Sequence, residues 1–310
     1  MLSLNHLKGR KGLIVCSAGG HLTEALLLAK KIGVFETSIF VTHENSQSTS
    51  LLRDVDHRFL PYVKSRDFAM SVKSYLKLRK ICKTIDYDFI LSTGAAISVS
   101  ALLLHLQTRK PYFYNELITR VIKPSFSGKI LQFFPSVQLY SPHSHNFSSV
   151  WKKSPALLDV FSKQPKNGKR KENLNIFVSL GTMSPYRFDR LIDELLSVLQ
   201  PNDMVTWQLG CTDRTDIPAR TFGIISNEDF LANALAADVV VCHAGVGSLL
   251  DLITNGIRPI VVPRLSALDE HIDNHQLELA DYFKKLDLIS VPNGVIQRSD
   301  LIQASFYRIG

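Results

Sequence analysis

The chain has 310 residues, 45% of them hydrophobic and 21% charged, with 16 Gly, 13 Pro and a formal net charge of +8. That length suits one large or two ordinary domains, each able to bury a core, and the composition excludes a disordered or fibrous chain. The charge is divided: residues 1–175 hold 26 Lys and Arg against 11 Asp and Glu, whereas residues 176–310 hold 10 against 17. A basic half joined to an acidic half predicts two domains with different surfaces to meet. The cysteines, Cys16, Cys82, Cys211 and Cys242, stand far apart with no C-x-x-C pair, which signals neither a disulfide framework nor a sulfur-rich metal site and fits the cytosol. Met1 to Gly12 is polar and basic, and the apolar stretch around Ile97 to Leu106 is interrupted by Ser98, Ser100 and His105. Neither reaches the roughly 20 apolar residues that span a bilayer.

Short β-branched or aromatic runs alternate with longer helical patterns along the whole chain, the pattern of βαβ units and a parallel sheet. In the first half, strands are predicted at Leu13–Ser17, Ser38–Thr42, His57–Val63, Phe89–Ser92, Tyr112–Asn115 and Val137–Tyr140. In the second half they fall at Asn175–Ser179, Met204–Leu209, Thr221–Ile225, Val239–Cys242, Pro259–Val262 and Leu288–Val291. The stretch between them, SKQPKNGKRKENLN, has almost no apolar residue and reads as a solvated basic linker. The expected organisation is therefore an α/β chain of two Rossmann-like doubly wound domains, 1–161 and 175–310, joined by a linker at 162–174. In such sheets ligands bind beyond the C-terminal strand ends, so the loops after the strands are where chemistry is expected.

The first strand runs into Ser17-Ala18-Gly19-Gly20-His21-Leu22-Thr23-Glu24. Paired glycines let a ligand approach the backbone, and the following helix offers free N–H groups with His21 at the rim; the same residues also make a plain tight turn. In the second half, Val239–Cys242 leads into His243-Ala244-Gly245-Val246-Gly247-Ser248 and a helix carrying Asp251. Gly245 and Gly247 permit a bare backbone turn, Ser248 can cap the helix, and the N–H groups suit a diphosphate. A carboxylate one turn into the helix suits the vicinal hydroxyls of a ribose, although an acid near a helix N-terminus is also simply stabilising. Ser179-Leu180-Gly181-Thr182 makes another small-residue turn, and Arg264 to Ala280 collects Asp269, Glu270, His271, Asp273, Asn274, His275 and Gln276, a polar set suited to sugar hydroxyls. His271, Asp273 and His275 alternate in a spacing that is not a recognised ligand arrangement, so no metal is expected there. Arg264 suits a sugar carboxylate or an ion pair with Asp269 or Glu270.

The segments Ser-x-Gly-Gly-His-x-x-Glu, HAGVGSLLDLITNGIRPIVVPR and DNHQLELA together resemble the glycosyltransferase family 28 group, with its two-domain GT-B fold. More closely, the chain resembles a fusion of the acceptor and donor components of two-subunit UDP-sugar transferases, such as dolichol-linked GlcNAc transferase and bacterial exopolysaccharide or capsule glucuronosyl- and galactosyltransferases. The resemblance implies two domains facing across a cleft and no cofactor. It places a UDP-sugar diphosphate against Gly245, Val246, Gly247 and Ser248 beside His243. Asp251, where the peptidoglycan transferase has Glu, would hold the ribose. His275 and Gln276 would read the sugar, Phe230 would touch the uracil, and Gly181 and Thr182 would meet the phosphates. On the acceptor side, Gly19, Gly20, Thr93 and Gly94 would receive a polyprenyl diphosphate, and Glu116 or His21 would be the catalytic base; Glu116 also suits an ion pair with Arg120.

Tyr62 to Lys83 and Tyr112 to Phe134 mix Lys and Arg with aromatic and aliphatic residues, as expected of a peripheral surface on an anionic membrane or of solvated helix faces. The expectation is an inverting UDP-sugar-dependent hexosyltransferase at the inner face of the cytoplasmic membrane. It acts on a polyprenyl-diphosphate-linked saccharide in exopolysaccharide or capsule assembly. The alternatives are a sugar-nucleotide epimerase of related fold and a non-catalytic partner that recruits or regulates a transferase. Nucleic acid is not expected, since the basic residues form no reader motif; nor is an NAD-dependent enzyme, since Ser17 to Thr23 lacks the G-x-G-x-x-G that a dinucleotide fold has after its first strand.

Overall fold

Four-residue runs such as Gly-Leu-Ile-Val, Phe-Ile-Leu-Ser and Val-Val-Val-Cys are buried along their whole length, as strands covered by helices on both faces must be. A computed structural model describes residues 4–64, 67–166, 171–217 and 220–310. The chain divides into two compact units, Met1–Leu158 and Asp159–Gly310.

The first unit runs β1 (Gly12–Val15), α1 (Gly20–Ile32), β2 (Ile39–His43), α2 (Ser46–Leu51), β3 (His57–Leu60), α3 (Phe68–Ile81), β4 (Phe89–Ser92), α4 (Ile97–Thr108), β5 (Tyr112–Asn115), α5 (Phe126–Leu131), β6 (Val137–Ser141) and β7 (Trp151–Lys153). Its seven strands lie in the order β3-β2-β1-β4-β5-β6-β7, every ladder parallel. Leu13, Val15, Ile90, Tyr112 and Tyr114 build the core on one face with Ala101, Leu102 and Leu104 of α4. Gly33, at φ 74°, ends α1 in the left-handed turn that glycine adopts without steric cost.

The second unit runs β8 (Lys163–Pro165), β9 (Asn175–Ser179), α6 (Asp189–Leu196), β10 (Met204–Gln208), β11 (Arg220–Phe222), α7 (Asn227–Ala236), β12 (Val239–Cys242), α8 (Val246–Thr254), β13 (Ile260–Val261), α9 (His275–Lys285), α10 (Arg298–Ala304) and β14 (Tyr307–Ile309). The parallel sheet has the order β11-β10-β9-β12-β13 around Ile176, Val178, Trp207, Val239 and Val241.

Three differences from the sequence reading have local causes. Trp151–Lys153 adds a short edge strand to the first sheet, too brief for a periodic signal. The basic stretch 162–174 contains β8, which pairs antiparallel with β14, so part of it is sheet; residues 167–170 lie outside those described. The twelfth predicted strand shrinks to a single bridge, Ile260 to Ser290, because β13 is only two residues long between Pro259 and Pro263, which donate no ladder hydrogen bond.

Both principal sheets have one point where successive connections leave in opposite directions, between β1 and β4 in the first and between β9 and β12 in the second. A crevice opens there beyond the carboxyl ends of the strands. The Gly19-Gly20-His21 and Thr93-Gly94 turns follow β1 and β4, and the Gly181-Thr182 and His243–Ser248 turns follow β9 and β12.

Candidate functional site

In the first unit the two loops at the crevice are tied by a reciprocal pair of hydrogen bonds. His21 Nδ1 lies 2.7 Å from the Thr93 carbonyl, and Thr93 Oγ1 donates to the His21 carbonyl, also at 2.7 Å. The first contact requires the proton on Nδ1, which leaves the Nε2 lone pair free to accept. Burial, aided by the charge of Arg120, pushes the imidazole down to about 4, so it is neutral at pH 7. Gly94, at φ 108°, sits under the ring; a Cβ there would lie 3.1 Å from His21 Cε1 and 3.2 Å from the Tyr114 hydroxyl.

Glu116 is buried, and both of its oxygens are bonded. Oε2 accepts from Ser125 N–H at 2.8 Å and Ser125 Oγ at 2.9 Å, while Oε1 accepts from Tyr114 Oη and Leu117 N–H, each at 3.3 Å. Burial raises its pKa against these bonds. The carboxylate thus fastens the loop between β5 and α5, and Arg120 reaches it through its field. Glu24, which sequence reasoning did not single out beyond its place in the motif, is a second buried carboxyl. It accepts from Ile118 N–H at 3.1 Å and Asn115 Nδ2 at 3.2 Å, and burial together with the nearby Glu116 pushes it up to about 8. Ser154 Oγ donates to Asn115 Oδ1 and completes the brace.

In the second unit the crevice is built around one imidazole. His243 lies between two glycines: a Cβ on Gly181 would come within 2.6 Å of its Nε2, and a Cβ on Gly245 within 2.2 Å. Gly181 in turn receives Gly210, where a Cβ would sit 1.8 Å from the Gly181 carbonyl oxygen. Burial, reinforced by the charge of Arg264, pushes His243 down to about 3, so it too is neutral, and its Nδ1 is buried with no hydrogen-bond partner among the described residues. The helix after it begins at Val246 with Gly245 as N-cap and no side-chain cap, so Ser248 lies inside the first turn and does not cap it. Side chains of Asn45, Asp67, Ser125 and Ser226 cap α2, α3, α5 and α7, whereas α1, α4 and α8, which open at the crevices, have none, and neither do α6 and α9. Their first N–H groups and positive dipole ends are available to an anion.

Residues 216–290 match the family model described as "Glycosyltransferase family 28 C-terminal domain". The matched segment lies within the second unit. Over 228 residues the chain is 22% identical to the N-acetylmuramyl-(pentapeptide) pyrophosphoryl-undecaprenol N-acetylglucosamine transferase of Geobacter metallireducens, a match covering 67% of this chain and 61% of that protein. The chain thus spans about three fifths of that relative's length. The transferase of the same name from Geotalea daltonii is 22% identical over 291 residues, covering 82% of this chain and 77% of the relative. Among solved structures, Acinetobacter baumannii MurG superposes with a TM-score of 0.56 at 17% identity, covering 94% of this chain and 89% of that one, which shows a shared GT-B fold.

Within the second unit, Asp251 is buried on the second turn of α8, and Thr182 is exposed beyond β9. Phe230 is buried in α7 with its ring edge-on to Phe177 at 5.5 Å. The ring is therefore core, and little of it remains to touch a base. The loop after β13 is organised by Arg264, which is 1% exposed. Its guanidinium donates to the main-chain carbonyls of Leu180 at 2.6 Å, Tyr186 at 2.9 Å and Glu270 at 3.1 Å. It contacts neither a ligand-facing surface nor the Asp269 and Glu270 carboxylates proposed from sequence. Glu270 instead takes a two-pronged contact from Arg190, both bonds 2.9 Å, and accepts from Leu265 N–H. Gln276 Oε1 accepts from Arg264 N–H at 3.1 Å, which leaves its amide N–H groups to meet a ligand. His275 opens α9 with Nδ1 bonded to Asp273 Oδ1.

Proposed function

We propose that this protein is a UDP-sugar-dependent hexosyltransferase that moves its sugar, with inversion, onto a polyprenyl-diphosphate-linked saccharide in exopolysaccharide or capsule assembly. The observation that carries the reading is the glycine-walled loop His243–Ser248 at the switch point of the unit that holds the family 28 match, opening on an uncapped helix with Asp251 buried one turn inside. The N-acetylglucosamine transferases with which the chain aligns are named for a pyrophosphoryl-undecaprenol acceptor, which supports a lipid-linked acceptor here.

In this reading the first N–H groups of α8 meet the diphosphate, Asp251 takes the ribose hydroxyls, and Gln276 donates to the sugar. His21 is the base. Its Nε2 accepts the proton of the attacking acceptor hydroxyl as that oxygen bonds to the anomeric carbon. The UDP oxygen departs with the bonding pair, its charge stabilised by the dipole of α8. Glu116 holds the loop after β5 and takes no proton. The exposed Tyr62, Val72 and Leu76, and likewise Ile122 and Phe133, stand among lysines of the first unit and support a peripheral seat on anionic lipid at the inner membrane face. Among the described residues, no helix is long and apolar enough to cross a membrane.

Labelled UDP-sugars incubated with the protein and membranes should yield a lipid-extractable product. Failure with UDP-glucuronate, UDP-galactose and UDP-GlcNAc alike refutes the reading, and conversion of UDP-GlcNAc in plain buffer replaces it with an epimerase.

A further inference from the structure

The alternating His271, Asp273 and His275 are brought together by the turn that precedes α9. One donor atom from each lies within 4.8 Å of the others. His271 Nδ1 is 3.4 Å from Asp273 Oδ1, and His275 Nδ1 bonds to that same oxygen. Two imidazole nitrogens thus converge on one carboxylate.

The donors are held before any ion arrives. His271 is buried, its ring stacked on Tyr186 at 6.0 Å and set edge-on to His275 at 4.8 Å. His271 Nδ1 lies 3.2 Å from the Asp273 carbonyl oxygen and 3.4 Å from the Asp273 main-chain nitrogen, so the turn holds the ring in either tautomer, and coordination uses the one with its proton on Nε2. The segment is pinned at both ends, by Arg190 on Glu270 and by Ser266 N–H and Oγ on Asn274 Oδ1.

We propose that His271, Asp273 and His275 form a zinc site of two nitrogens and one oxygen, with the fourth position open, and that its occupation weakens donor binding. Zinc bonds of about 2.0–2.2 Å place tetrahedral donors about 3.3 Å apart, close to the His271–Asp273 separation already present. Two imidazoles select zinc and its borderline neighbours over magnesium or calcium. His275, on the first turn of α9 and half-buried, adjusts by rotating its ring from hydrogen-bond to coordination distance. The competition rests on the donor reading above, since it draws His275 and the start of α9 away from the sugar.

The test uses the full chain, stripped with EDTA and desalted, titrated with zinc chloride against a chromogenic chelator. One zinc should bind per chain, and Asp273→Asn and His271→Gln should each weaken it at least about tenfold. Cobalt(II) reports the same coordination by a tetrahedral visible band and needs no substitution. Affinity for the UDP-sugar that binds best among UDP-glucuronate, UDP-galactose and UDP-GlcNAc, measured by calorimetry with and without one equivalent of zinc, should fall at least about fivefold in the wild type and stay unchanged in Asp273→Asn, while UDP itself serves as the control for chelation by the diphosphate. No stoichiometric binding, or binding that both variants retain, overturns the site. Zinc that binds without changing UDP-sugar affinity overturns the competition. Absence of UDP binding in zinc-free protein refutes the donor reading and the competition, and leaves the zinc titration to judge the site by itself.

Discussion

Replacing Arg264 by Met should destabilise the second unit by about 2–4 kcal/mol. The guanidinium donates to three main-chain carbonyls, but the Tyr186 oxygen also accepts from the Cys211 thiol at 3.0 Å, so the buried Leu180 and Glu270 carbonyls are the two left unsatisfied. An acceptor left unsatisfied in the interior costs about 1–3 kcal/mol, which gives roughly 2–6 for the pair. Part is offset because a buried cation is itself costly, as the lowering of the Arg264 pKa by burial indicates, and because Met fills much of the same volume. Urea unfolding followed by Trp207 fluorescence isolates this unit once Trp151, the other tryptophan, is changed to Phe in both proteins. Arg264→Lys keeps the charge but not the fork, and should fall between the two. A change within about 0.5 kcal/mol for Arg264→Met would refute the reasoning. Together with a lost preference for UDP-glucuronate, it would restore the role of carboxylate ligand to this side chain.

Gly245→Ala has an ordinary φ of −83° but drives a Cβ into the His243 ring, so it should cost about 1–3 kcal/mol alone and under about 0.5 in a His243→Ala background, read from a double-mutant cycle of melting free energies. For His21 the folded pKa of about 4 lies below the unfolded value of 6.5, so the unfolded chain takes the proton first; the stability it contributes is full above about pH 6.5 and is lost as pH falls through 4. The acid limb of kcat/KM should accordingly lie near 4, and a limb near 6.5 would show a solvated imidazole. Glu116→Gln turns an amide N–H toward donors from Ser125 or Leu117 and should lower the stability of the first unit by about 1–3 kcal/mol in thermal melts. A variant that melts like the wild type yet has lost turnover would return the base to Glu116.

The alternation of strands and helices was legible because each central strand is a short, wholly buried run between turn residues, and the glycine loops could be placed because they follow those strands directly. What escaped was decided at long range. Nothing near Arg264 in sequence indicates that its donors belong to a carbonyl 84 positions away at Leu180. The same holds for the pairing of Glu24 with a segment 94 residues on at Ile118. The packing of Phe230 escaped because a helical position reveals its face only when its neighbour is known, here Phe177 of β9. The His-x-Asp-x-His spacing fits no regular element, so its convergence depends on the turn before α9.

Both crevices place a neutral imidazole against glycine backbone, one near pKa 4 and the other near 3. Both rings are neutral at pH 7, so a diphosphate held there depends on peptide N–H groups and dipoles, which do not titrate. The proposed lysine-mediated attachment to anionic lipid would, by contrast, be screened within about 10 Å at 0.1 M salt. Mild acidity is therefore a control that should leave both the lysine charges and the peptide donors as they are. Ionic strength should instead release the protein from vesicles more steeply than it weakens nucleotide binding, because hydrogen bonds at contact distance are screened less than exposed charges.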